Sequence, residues 1–291
     1  MHSYLRAIGF SSINNRNELN KLINLVIEKA SYRKTIQLNH QMSLTEISMM
    51  FGDDIGITIR GEYDQNDVFH VDNYVPHLLG SYTDVRENVL VNKRVDTEAY
   101  TGMCDDYRLG VSLIFYIQNV AEYLEIKSKK AEGSLNVPIA LSALSLEGRT
   151  LLPIEKDEIQ VKNLSAEKTH RNNLIAEAKK GNQDAIDSLT IDDIDTYAMV
   201  SRRAKKEDIY SIVDTCFIPF GSESDNYSII ATIINSKIIK NSYTNEEIYD
   251  LDLMCNDLMF RLNINKKDLL GEPLPGRRFK GNIWMQGRIA I

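Results

Sequence analysis

Long apolar runs, paired cysteines and catalytic signatures are all missing from this chain of 291 residues. No stretch of roughly 18 consecutive apolar residues occurs, so no membrane-spanning helix is expected. The opening MHSYLRAIGFSSINNRNELN has an apolar run too short for the core of a secretory signal, and Asn and Arg follow where a cleavage site would stand. Cys104, Cys216 and Cys255 are odd in number and lie far apart without a CxxC pair. That spacing argues against a zinc knuckle or redox centre and fits reduced thiols in a cytoplasm. GxSxG, HExxH and GxxxxGKS/T are absent, as is a glycine-rich turn from strand to helix that would cradle a nucleotide. Internal repeats and low-complexity segments are missing too, and there is a single tryptophan, Trp284.

What is present is ordinary globular composition, 43% hydrophobic and 26% charged, with length enough for two cores. A net charge of -7 and a pI near 5.4 argue against coating duplex nucleic acid or an anionic membrane, since such binding neutralises phosphates. The charge is unevenly placed. From Tyr227 onward nine Lys and Arg face seven Asp and Glu, about +2, while the preceding residues carry 25 against 34, about -9. A basic C-terminal segment docking on its own acidic partner explains this asymmetry at least as well as an anionic ligand does.

Tyr4 to Phe10 reads as a short strand, followed by a helix over Glu18 to Ala30 with Leu19, Leu22, Ile23, Val26 and Ile27 at helical spacing and Asn15 or Asn17 as cap. From Ser43 to Val75 the period becomes two, with turn residues at Gly52–Asp53 and Asp64–Asp67, which predicts an antiparallel meander. Tyr107 to Gln118 reads as a buried strand and Lys127 to Gly133 as a charged loop. VPIALSALSLEGRTLLPI reads as two strands meeting at Glu147 and Gly148. Helical signals follow: Ser165 as a cap, Gly181 as a stop, and Thr190 with Asp193 as the start of a segment bearing Ile191, Ile194, Tyr197 and Ala198. EDIYSIVDTCFIPFG alternates like a strand. Beyond it come a strand at YSIIATIINSKII, a hairpin turning at Asn256–Asp257, a helical turn at NKKDLLG and a closing strand. The fold expected is α+β: an antiparallel-sheet region with helices over 1–160, a helical connector over 161–226, and a small OB-like β-barrel over 227–291.

The closing strand, in GRRFKGNIWMQG, separates by alternation into a core face of Phe279, Gly281, Ile283, Met285, Gly287, Ile289 and Ile291 and a polar face of Arg278, Lys280, Asn282, Trp284, Gln286 and Arg288. Trp284 with Arg278, Lys280 and Arg288 is thus a candidate stacking platform for single-stranded nucleic acid or an anionic ligand. The plainer alternative is an indole buried against the helical region, its N–H satisfied by a neighbour and the cations keeping the rim wet. His70, Asp72 and His77 are candidate ligands for a divalent metal and for a metal-dependent hydrolase, against the plainer reading of a polar loop with surface histidines. Asp64, Asn66 and Asp67 lack the glycine and distal Glu of a calcium loop. In MCDDYR, two carboxylates beside Cys104 would raise its pKa and blunt it as a nucleophile.

The opening MHSYLRAIGF, the central EAKKGNQDAIDSLT with SIVDTCFIPFG, and the ending CNDLMFRLNINKKDLLGEPLPGRRFKGNIWMQG together resemble a domain-of-unknown-function family of Firmicutes, of clostridial type, over the full length. The resemblance implies a bacterial intracellular protein and brings no catalytic residues or cofactor. The function expected from the residues is non-enzymatic binding or scaffolding, with a cleft between barrel and N-terminal region taking a protein or a small anionic ligand. The oligomeric state stays open.

Overall fold

The computed structural model describes residues 2–38, 42–82, 85–94, 99–106, 108–109, 111–129, 135–155 and 158–289. The chain begins with a 3-10 turn at Ser3–Ile8 where the sequence predicts a strand, and Gly9 closes it at a φ of 86°. Helix α1 (Arg16–Glu28) follows, its first turn capped by Asn15, which accepts from the Glu18 N–H, while Glu18 reaches back to the Asn14 N–H. Strands β1 (Tyr32–Gln37), β2 (Ser43–Met50), β3 (Ile55–Tyr63) and β4 (Phe69–Leu78) form a four-stranded antiparallel sheet in that order. Ile47, Ile57 and Ile59 on one face pack with Leu19, Leu22 and Val26 of α1.

The second sheet begins with β5 (Val85–Lys93), β6 (Tyr100–Asp106) and β7 (Val111–Ile117), after which α2 (Val120–Lys129) covers part of the span expected to be a loop. Next comes β8 (Leu135–Leu151), one continuous strand of 17 residues and not the expected hairpin. Gly148 does not turn the chain. A Cβ there would fall 2.4 Å from the Phe279 ring, and one at Gly281 opposite would fall 2.7 Å from it. The glycine pair makes room for an aromatic inside the sheet.

Helices α3 (Glu158–Ala178) and α4 (Gln183–Arg203) form a hairpin turning at Gly181, whose φ is 84°. Each is longer than the sequence suggests. Ser165 lies inside α3, and Thr190 lies inside α4, its hydroxyl donating to the Ile186 carbonyl instead of opening a helix. The expected strand after them splits into a short helix α5 (Ile209–Ile212) and β9 (Cys216–Pro219). Strands β10 (Asn226–Lys240), β11 (Glu247–Cys255) and β12 (Leu258–Asn265), a 3-10 turn at Lys266–Asp268, the short β13 (Leu269–Leu270) and β14 (Arg278–Ile289) complete the chain. At the β11–β12 hairpin Asn256 and Asp257 both have positive φ, 47° and 63°, the geometry that lets strands of right-handed twist meet in two residues.

The fold is α+β with a closed barrel. Antiparallel pairings run β14–β10–β11–β12, and β8 closes the ring by pairing parallel to β12 and antiparallel to β14. A second circuit leaves β8 through β5, β6 and β7 and returns to β14. The β8–β14 ribbon is therefore common to both, and one apolar cluster, from Leu113 and Phe115 to Leu251, Phe260, Phe279 and Ile283, fills their interior. Among the described residues no helix is long and apolar enough to cross a membrane.

Candidate functional site

The second face of the four-stranded sheet is polar and largely buried. Cross-strand register places Tyr32 opposite Ser48, Ser48 opposite Thr58, Glu46 opposite Arg60 and Gly56 opposite His77. Residues Gln118, Asn119 and Glu122 at the start of α2, and Arg288 near the end of β14, stand across from them. A cleft of about 310 Å³ lies between, lined by Tyr32, Glu46, Ser48, Thr58, His77, Gln118, Glu122 and Arg288 among others.

Glu46 and Arg60 set the floor. Arg60 is fully buried, and its Nε donates to Glu46 Oε1 at 2.7 Å, Nη1 donates to the Tyr116 hydroxyl, and Nη2 donates to the Ile117 and Gln118 carbonyls. The same Glu46 carboxylate accepts from the backbone N–H of Val120 and Ala121, both at 3.1 Å. One carboxylate thus neutralises a buried cation and caps the amino end of α2, where unpaired N–H groups favour negative charge.

The walls are neutral at pH 7. Burial pushes His77 down to about 4, with Arg288 and Arg60 acting in the same direction, so its ring is uncharged and its Nδ1 lies 3.3 Å from the Thr58 hydroxyl. Thr58 in turn meets Ser48 at 2.7 Å. Gln118 donates to the Leu78 carbonyl, Ser142 and Gln286, while its Oε1 is buried without a hydrogen-bond partner among the described residues. At the mouth Arg288 Nη2 contacts both oxygens of Glu122, at 3.2 and 3.1 Å, and Glu122 also accepts from Asn119 and from the Tyr32 hydroxyl. A guanidinium carries five N–H donors, and this contact engages only one of its nitrogens.

The four candidates on β14 part company. Trp284 is buried, 6% exposed, among His2, Tyr4 and Tyr116 with ring centroids 4.9 to 5.2 Å away. Its indole N–H donates to Asp225 at 2.9 Å, and Asp225 also accepts from Arg94 at 2.7 Å. Arg278 is buried as well and fastens the end of the helical connector to β14 by donating to the carbonyls of Leu152, Tyr210 and Val213. Lys280 sits 4.8 Å over the Tyr210 ring. Arg288 alone of the four lines the cleft.

The histidine candidates are not gathered either. His70 pairs with Asp64 at 3.0 Å at one end of β4, and Asp64 also accepts from the Asn66 and Val68 N–H groups, so this acid closes its own loop. His77 lies in the cleft at the other end of β4. Among the described residues no group of three or more His, Cys, Asp or Glu is placed to hold a metal ion. Cys104 and Cys255 are buried, and burial pushes the Cys255 thiol far up, away from thiolate chemistry.

Glu46, Arg60, Gln118 and Glu122 escape the motif reading because none belongs to a motif. A signal exists for two of them. Counting outward from a turn centred on Asp53 places Glu46 opposite Arg60, unlike charges at a cross-strand position in the meander.

A family model described as "Domain of unknown function, E. rectale Gene description (DUF3881)" matches residues 5–287. Neither the curated proteins nor the solved structures contain a match to this chain.

Proposed function

We propose that this chain, which belongs to the DUF3881 family of domains of unknown function, is a non-catalytic binding protein whose sheet–helix cleft holds a small carboxylate-bearing molecule. The observation that carries this reading is the cleft itself: about 310 Å³ of space walled by polar side chains where a core would be packed with apolar ones. Its size falls in the range of small-molecule sites, and polar groups withdrawn from water in such a place need partners. Arg288 offers a planar fork matched to a carboxylate. Glu122 beside it favours a ligand whose other end carries a donor, such as an amino acid or hydroxy acid. Neutral His77 and the Ser48, Thr58 and Tyr32 hydroxyls suit the polar middle of that ligand. Glu46 would be the natural general base, yet Arg60 and two helix N–H groups already occupy its oxygens, which favours capture over turnover.

The test is thermal unfolding of the chain against a panel of small amino, hydroxy and dicarboxylic acids, with Arg288→Met alongside. A ligand at a hundredfold excess over its Kd stabilises the folded state by about 2.7 kcal/mol, a shift of several degrees. The reading expects one class of acid to raise the midpoint of the wild-type chain and not that of the variant. No shift from any member of the panel, or equal shifts in both proteins, would count against it.

A further inference from the structure

Helix α4 has two faces with different fates. Ala185 and Leu189 pack against Ile175 and Ala178 of α3, and Asp193 meets Arg171 of α3 at 3.0 Å. At about 100° per residue these positions mark one side of the helix, and Asp184, Asp187, Ile191, Ile194, Ala198 and Arg202 fall on the other, three or four residues apart. Ile191 and Ile194 are 59% and 61% exposed, and Tyr197 beside them is 75% exposed. Apolar side chains at that spacing and exposure form a helix seam without a partner among the described residues.

The order of charges along this seam indicates what covers it. From the amino end it reads acid, acid, apolar, apolar, small, base, and Lys205 continues it just beyond the helix end. Laid on a reversed copy of itself about a two-fold axis beside Ile194, it matches position by position. Asp184 then faces Lys205, Asp187 faces Arg202, Ile191 faces Ala198, and Ile194 faces its own copy. The distance from Asp187 to Arg202 along the helix, about 22 Å, is the same in both copies, so the acidic and basic ends meet together. Self-complementarity of this kind is what an isologous contact requires, and the 3–4 spacing is that of helices that pack as a seam. A membrane surface fits less well, because half the seam is acidic and would be repelled by anionic lipid.

We propose that two copies of this chain pair through α4, antiparallel, across the face carrying Ile191 and Ile194. Each charged contact is exposed and individually weak, but the two-fold axis makes every one occur twice. The association is therefore reversible and sensitive to salt.

Sedimentation equilibrium of the full chain over a wide concentration range tests the pairing, with Arg202→Glu, Asp187→Arg, the double variant and Ile194→Ser. All three substituted positions lie on the exposed face of α4, and circular dichroism of each of the four variants checks that helix content is kept. The expected result is a monomer–dimer equilibrium in the wild-type chain, weakened about tenfold by either single charge reversal. Restoration by Asp187→Arg with Arg202→Glu, and loss of the dimer in Ile194→Ser, complete the expectation. A wild-type chain that stays monomeric at the highest concentration would overturn the proposal. So would a dimer indifferent to Ile194→Ser, or a double reversal no better than the single ones.

Discussion

Replacing Glu46 by Gln removes one charge from an interior ion pair while leaving the side chain nearly the same size. Arg60 is wholly buried and Glu46 is 2% exposed, so neither charge is shared with solvent. With the carboxylate gone, Arg60 keeps the Tyr116 hydroxyl and the Ile117 and Gln118 carbonyls but no counter-charge. The new amide keeps one oxygen for Arg60 Nε and the Val120 N–H but presents a donor where the Ala121 N–H needs an acceptor. Breaking a buried pair by removing one partner costs about 3–5 kcal/mol, a large share of the ~5–15 kcal/mol that holds a folded protein together. Urea unfolding reads the loss, with Trp284 as the reporter, because its ring lies 5.2 Å from that of Tyr116, the residue that Arg60 contacts. The paired replacement Glu46→Leu with Arg60→Met removes both charges and should recover most of the stability. A loss below about 1 kcal/mol in Glu46→Gln, or a paired variant no more stable than the single one, would mean that the carboxylate does not hold the buried Arg60 charge in place.

Three further outcomes follow from the same geometry. The folded chain holds His77 at about 4 against 6.5 when unfolded, so the unfolded state binds the extra proton in between. Stability from this group is complete above pH 6.5 and is lost as pH falls towards 4, by about 3 kcal/mol, and His77→Asn should flatten the wild-type profile across that window. Gly56→Ala puts a Cβ 2.7 Å from the His77 ring and 2.8 Å from the Met49 carbonyl, so the cleft wall must shift, and its unfolding midpoint in urea should drop with the ligand-induced thermal shift reduced. Asn15→Ala deletes the acceptor for the Glu18 N–H and should cost about 1 kcal/mol in the same urea assay, with no effect on the cleft.

The parts of the fold legible in the sequence are those with local causes. The Asn256–Asp257 hairpin, the β2–β3–β4 meander and the Asn15-capped helix each announce themselves in a few residues. Alternation in β14 also reads correctly, since Phe279, Ile283, Met285 and Ile289 are all buried in the sheet interior. What is not legible is pairing across distance. Residues 139–151 lie against 278–289, and no local signal marks Gly148 as half of a glycine pair around Phe279, so it reads as a turn. Trp284 falls on the polar face of its strand, but Tyr4, Tyr116 and His2 come from elsewhere to bury that face. In α4 the helical spacing of Ile191, Ile194 and Tyr197 marks the helix, yet all three side chains stand exposed, because α3 covers a different face. Of the cleft, Arg288 and His77 are visible in the sequence as charged or titratable residues on strands. Their neighbours come from β1, β2, β3 and α2, and only the folded chain assembles them.

If the cleft between the four-stranded sheet and the start of α2 binds a small carboxylate, as proposed, the amides that line it must sense the ligand. An amide NMR titration of the isotope-labelled chain with the same panel of amino, hydroxy and dicarboxylic acids tests it most directly, because it reports where a ligand sits as well as whether it binds. The account predicts saturable shifts concentrated at Ser48, Thr58, His77, Val120 and Ala121, absent in Arg288→Met. Unchanged amides at these positions, or shifts that fall instead on the β10–β11 hairpin or the α3–α4 pair, would contradict it.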